Sequence, residues 1–155
     1  MGRTIKGIVV AASLAAAVLG GARMADAGPM VVASAMAGRL VDASGRPQEG
    51  LAVTRRWSMA GDEGEQTVVS DAQGNFAFPE VTRRRGLMRR LLPTNPSVNH
   101  AYTLPDRGLT LMEFQKTNFA RDGEWGGRPL RVVCRVDAEP GTDGTFFWGT
   151  CRPAG

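Results

Sequence analysis

Residues Ser70 to Phe78 read Ser-Asp-Ala-Gln-Gly-Asn-Phe-Ala-Phe, and no other stretch restricts the fold as much. Asp71 favours a turn because its short carboxylate can bond nearby backbone amides, and Gly74 tolerates positive φ. Phe76 and Phe78 then fall two apart, on one face of an extended strand. Gln66 to Ser70 also reads as a strand, so the segment predicts a hairpin closed by Asp71-Ala72-Gln73-Gly74.

The same punctuation recurs along the chain. Val31 to Val41 is an apolar, β-tolerant run ended by the turn formers Asp42-Ala43-Ser44-Gly45-Arg46-Pro47. Leu51, Val53 and Trp57 alternate with Ala52, Thr54 and Arg56; Arg55 falls on the apolar side and marks where this strand leaves the core. Met59 to Glu65 is a polar stretch. Ala101 to Leu104 and Leu109 to Lys116 form a second hairpin around Pro105-Asp106-Arg107-Gly108. Pro129 to Val136 and Thr145 to Cys151 are late strands, separated by a loop containing Glu139 to Gly144. Residues 79–100 form a long arginine-rich connection, with room for a short amphipathic helical turn around Leu87, Met88, Leu91 and Leu92.

Twenty glycines and nine prolines suit short strands and turns better than long helices. With 155 residues and no internal repeat, one core is expected. The predicted fold is an all-β, Ig-like antiparallel sandwich of about seven strands.

Residues 1–27 are expected to be a signal peptide. Arg3 and Lys6 precede an uncharged run from Gly7 to Ala22, and Ala25-Asp26-Ala27 is a small-x-small cleavage pattern. The run is short for a spanning helix, so no stable membrane insertion is expected after cleavage. Removing Arg3, Lys6, Arg23 and Asp26 lowers the net charge from +4 to about +2. Residues 28–155 then form a single exported domain, periplasmic or extracellular. Export and the lack of any nucleic-acid-binding signature exclude nucleic acid as a partner. The two cysteines, Cys134 and Cys151, are expected to pair as a disulfide in that oxidising compartment.

The segments Gly38-Arg39-Leu40-Val41-Asp42, Gly45-Arg46-Pro47, Gly50-Leu51-Ala52-Val53 and Ser70 to Phe78 resemble the carboxypeptidase regulatory-like, or prealbumin-like, β-sandwich family. The shared pattern is a glycine before a first strand, a Gly-x-Pro turn, a second strand and an Asp-x-x-Gly-x-Phe hairpin. The second half, with its arginine-rich connection and cysteine pair, resembles a small exported bacterial branch of that family with no assigned activity. The resemblance implies a non-catalytic accessory or binding module.

The residues on offer argue against catalysis. Intradiol-type metal oxygenases on related sandwiches need two tyrosines and two histidines, against one Tyr102 and one His100 here. Transthyretin-type hydroxyisourate hydrolases need several histidines and a Tyr-Arg-Gly-Ser ending, whereas this chain ends Cys151-Arg152-Pro153-Ala154-Gly155. An adhesin-type Lys-Asn crosslink is disfavoured because Lys116 is the one lysine after the signal segment. No Gly-x-Ser-x-Gly elbow accompanies His100, which reads as a surface histidine in a loop. Glu63 with Glu65, or Asp137 with Glu139, are carboxylates two apart in loops and carry little weight as a glycosidase pair. No metal or cofactor is implied.

Two features suit binding. Arg83, Arg84, Arg85, Arg89 and Arg90 supply guanidinium groups for phosphates, acidic glycans or an acidic protein surface, although a solvated loop explains them as well. Among the tryptophans, Trp57 and Trp148 are expected in the core and Trp125, beside Gly126 and Gly127, at the surface. The expected function is non-catalytic binding of a protein or glycan of the cell envelope, neutralisation of a toxin included. The alternative is a carbohydrate-binding module using exposed Trp and Arg residues.

Overall fold

The structure, a computed structural model, describes residues 29–84, 97–142 and 146–154. The expected signal segment 1–27 and Arg85, Arg89 and Arg90 lie outside the described residues. Among the described residues the chain forms eleven strands: β1 (Met30–Ala33), β2 (Met36–Val41), β3 (Ala52–Met59), β4 (Asp62–Val69), β5 (Asn75–Phe78), β6 (Val81–Arg83), β7 (Val98–Leu104), β8 (Leu109–Lys116), β9 (Leu130–Arg135), β10 (Trp148–Gly149) and β11 (Cys151–Pro153). Short 3-10 turns occupy Pro105–Arg107 and Gly123–Trp125. The expected all-β sandwich is present.

A five-stranded sheet, ordered β10-β8-β7-β3-β4, faces a four-stranded sheet, ordered β11-β9-β2-β5. Leu40, Phe76, Phe78, Val132 and Cys134 of the smaller sheet meet Val53, Tyr102, Leu104 and Phe114 of the larger in one buried core. Phe78 and Tyr102 touch edge to face across the interior, ring centroids 5.8 Å apart. A small β1-β6 sheet adds a second cluster of Val32, Ala33, Trp57, Val81 and Val98. Pairing is antiparallel except between β2 and β9, which run parallel. Cys134 and Cys151, opposite each other on β9 and β11, form the expected disulfide.

Several local expectations need correction. The turn at Asp71 is real, its carboxylate accepting bonds from the amides of Gln73 and Asn75. The strands flanking it are not a hairpin, however: β4 pairs with β3 and β5 with β2, so the turn carries the chain from one sheet to the other. The polar stretch 59–65 is largely strand, since β4 begins at Asp62. The connection 79–100 has β6 near its start and β7 near its end. The strand count exceeds seven partly because two predicted strands are divided between sheets. Val31 to Val41 breaks at Ser34-Ala35, and Thr145 to Cys151 breaks at Thr150. There the Thr150 amide donates to Leu111 of β8, and its carbonyl accepts from Arg135 of β9.

Aromatic rings cover glycines in both sheets. Gly38 lies opposite Phe76, and Gly64 opposite Trp57. At either glycine a Cβ would collide with the facing ring, so these positions require glycine for space rather than for φ.

Candidate functional site

Two groups of polar side chains stand out, one closed and one open. The closed group is built on Ser34, at the break between β1 and β2. Its amide donates to Glu124 Oε1 at 2.8 Å and its hydroxyl to Glu124 Oε2 at 2.5 Å. Its carbonyl accepts from Arg55 Nη1 at 2.9 Å. Lys116 Nζ lies 3.0 Å from Glu124 Oε1 and donates to the Ala120 carbonyl at 2.8 Å. Ser34 thus exchanges strand pairing for bonds to buried charged groups.

Arg55, expected to mark the strand's exit from the core, is instead fully buried. It donates to the Pro79 carbonyl and to Gln66 Oε1, and its guanidinium lies over the Phe78 ring, 4.8 Å from the centroid. These partners, with the Ser34 carbonyl, engage both Nη groups of a cation that would otherwise be too costly to bury, whereas Nε finds no hydrogen-bond partner among the described residues. Burial pushes the Lys116 ammonium below its usual pKa, against the raising influence of Glu124. Burial alone would raise the Glu124 carboxyl, but the Ser34 bonds and Lys116 together hold it below the ordinary value.

His100, expected at the surface, sits inside β7 with 3% of its area exposed. It stacks on Phe114 with ring centroids 4.9 Å apart, and neither ring nitrogen makes a well-formed hydrogen bond. Burial pushes its pKa down to about 4, so the ring is neutral at pH 7. Tyr102 is likewise pushed up to about 12 by burial. The closed group therefore offers fixed charges and a neutral imidazole, all buried, which suits holding the fold together.

The open group lies on the outer face of the five-stranded sheet. Strand alternation sends Arg56 and Ser58 of β3, Glu63 and Glu65 of β4, Asn99 of β7 and Glu113 of β8 outward. The registers align Trp148, Glu113, Ala101, Arg56 and Glu65 in a single row across all five strands. Arg56 is bound to Glu65 at 2.5 Å, and Gln115 to Asn99 at 3.2 Å in the next row. A depression of about 990 Å³ lies over this face. At its edge Trp148 is 42% exposed, and Phe146, two residues before it, is exposed to the same extent.

Of the binding residues expected from sequence, only Arg83, Arg84 and Trp125 are among the described residues. Arg83 is half-buried, donates to Asp62 at 2.8 Å and lies over the Trp57 ring. Arg84 is exposed. Trp125, expected at the surface, is half-buried against the main core under Arg128, whose guanidinium is 4.1 Å from its ring centroid. Trp57 is buried as expected, whereas Trp148, expected in the core, is exposed. The inward aromatic of that strand is Phe147, 1% exposed. In Phe146-Phe147-Trp148 every residue is aromatic, so alternation alone does not say which face each takes. Among the described residues no group of His, Cys, Asp and Glu is arranged to hold a metal ion.

No curated protein matches the chain. A family described as a domain of unknown function (DUF6795) matches residues 36–139, from β2 to just beyond β9. That match spans most of the sandwich and takes in Lys116, Glu124 and the acidic row on β4 and β8, and the chain belongs to the DUF6795 family.

Proposed function

We propose that this protein is a non-catalytic binding domain of the cell envelope, exported by its first 27 residues, and that its binding face is the outer face of the five-stranded sheet. The observation that carries the reading is Trp148: an indole 42% exposed at the rim of a depression otherwise walled mainly by polar side chains. Exposed tryptophan beside ordered polar groups is the composition of binding hot spots. The disulfide suits an oxidising compartment. The likeness of residues 38–53 and 70–78 to carboxypeptidase regulatory-like modules agrees with a binding role, and neutralising a toxin is one form it would take.

A carbohydrate-binding module is the second reading, and Trp148 is the observation that favours it. It expects tryptophans exposed in a row, however, and Trp57 is buried while Trp125 is half-buried. Immobilised full-length protein is the test, with wild type and Trp148→Ala incubated in parallel with envelope extract and with envelope polysaccharide. Capture of a discrete protein by wild type and its loss in the variant supports the proposal. Equal capture by both removes this face from it.

A further inference from the structure

The chain as a whole carries a net charge of +4, yet the outer face of the five-stranded sheet is acidic. Among the described residues Glu63, Glu65 and Glu113 point outward there against one cation, Arg56, which Glu65 already binds. Among the described residues Glu63 and Glu113 make no ion pair. Glu113 lies directly opposite Trp148 in the register of β8 and β10. Directly opposed side chains on one face of an antiparallel pair have Cβ atoms about 5 Å apart. A carboxylate on the position facing an exposed indole is suited to an ammonium or guanidinium group, which gains from both the charge and the ring's π face.

We propose that the occupant of this face is a basic, extended segment of a partner protein, an inference that rests on the reading of this face as the binding face. One Lys or Arg of the segment sits between the Trp148 indole and the Glu113 carboxylate. A second reaches Glu63. Three strand spacings separate β8 from β4, about 14 Å, and Glu63 is offset by one register row. An extended chain advances about 3.3 Å per residue, so the two basic residues are four or five positions apart. Asn99 and Gln115, in the row that contains Glu63, offer side-chain amides to the backbone between them.

The test uses full-length protein and three labelled probes: an octalysine peptide, an octaglutamate peptide and an N-acetylglucosamine hexasaccharide. Octalysine is expected to bind in low salt. Its affinity should fall about tenfold in Glu63→Gln/Glu113→Gln and in Trp148→Ala, and little in Glu49→Gln/Glu139→Gln. The last variant removes the same charge from exposed positions elsewhere. No binding of octalysine, or equal losses in the two double variants, overturns the inference. Hexasaccharide binding that depends on Trp148, without octalysine binding, keeps the face and replaces the partner. Retained partner capture by Trp148→Ala is the separate result that sinks the face itself.

Discussion

Lys116 Nζ and Glu124 Oε1 lie 3.0 Å apart with their side chains 0% and 4% exposed, and Ser34 bonds to both. Together they fasten the Gly123–Trp125 turn to the point where the chain passes from β1 to β2. An ion pair at this depth is costly to form, yet breaking it by removing one partner costs more, because the other charge is left buried.

Lys116→Met is therefore expected to destabilise the protein by about 3–5 kcal/mol in urea denaturation. Adding Glu124→Gln should restore part of the loss, since the orphaned group becomes neutral. Simple additivity of the two losses would show that the charges do not act as a pair.

His100 makes stability depend on pH. Its folded pKa, about 4, lies below the ordinary 6.5, so between these values the unfolded chain takes up a proton that the folded one refuses. Stability contributed by the neutral ring is complete above pH 6.5 and declines as pH falls towards 4, by roughly 3 kcal/mol in all. His100→Phe should remove this component, so that its stability exceeds that of wild type by a margin that widens from pH 7 to pH 4. A margin that stays constant would assign the acid sensitivity to other groups.

The sequence already carried the fold class, the turn at Asp71, the inward pair Phe76 and Phe78 and the disulfide. What it hid has a common physical cause: inward positions filled by polar residues. In β4 the inward side belongs to Asp62, Gly64, Gln66 and Val68. Three of these are accounted for only by distant partners, Asp62 by Arg83, Gly64 by the Trp57 ring and Gln66 by Arg55. No apolar alternation marks such a strand. Arg55 and His100 are hidden for the same reason, since a charged or titratable residue reads as exposed unless its buried surroundings are known. The candidate face was half legible: its carboxylates are visible in the sequence, but their alignment with Trp148 depends on pairing between strands far apart in the chain.

The disulfide joins β9 to β11 across 17 residues of sequence. Replacing both cysteines, Cys134→Ala/Cys151→Ala, is expected to lower stability by about 3 kcal/mol in the chain-entropy account. Thermal melts of wild type with and without reductant, beside the variant, check this. The reduced protein and the variant should melt at closely similar temperatures, both below the oxidised protein. A wild type indifferent to reductant would contradict it.

Gly64 carries the Trp57 indole where a side chain would stand. Gly64→Val should displace that ring, lower stability by more than 1 kcal/mol and shift the tryptophan emission of the folded protein to longer wavelength. Unchanged emission with unchanged stability would mean that the ring does not depend on the glycine.

The claim that the outer face of the five-stranded sheet is where a partner binds is tested most directly by photocrosslinking in the cells that make the protein. Gln115→p-benzoylphenylalanine puts the probe on that face, and Arg131→p-benzoylphenylalanine puts it on the outer face of the four-stranded sheet. An adduct of defined mass from position 115 and none from position 131 is the predicted result. Adducts from position 131 alone, or equally from both, would contradict the assignment.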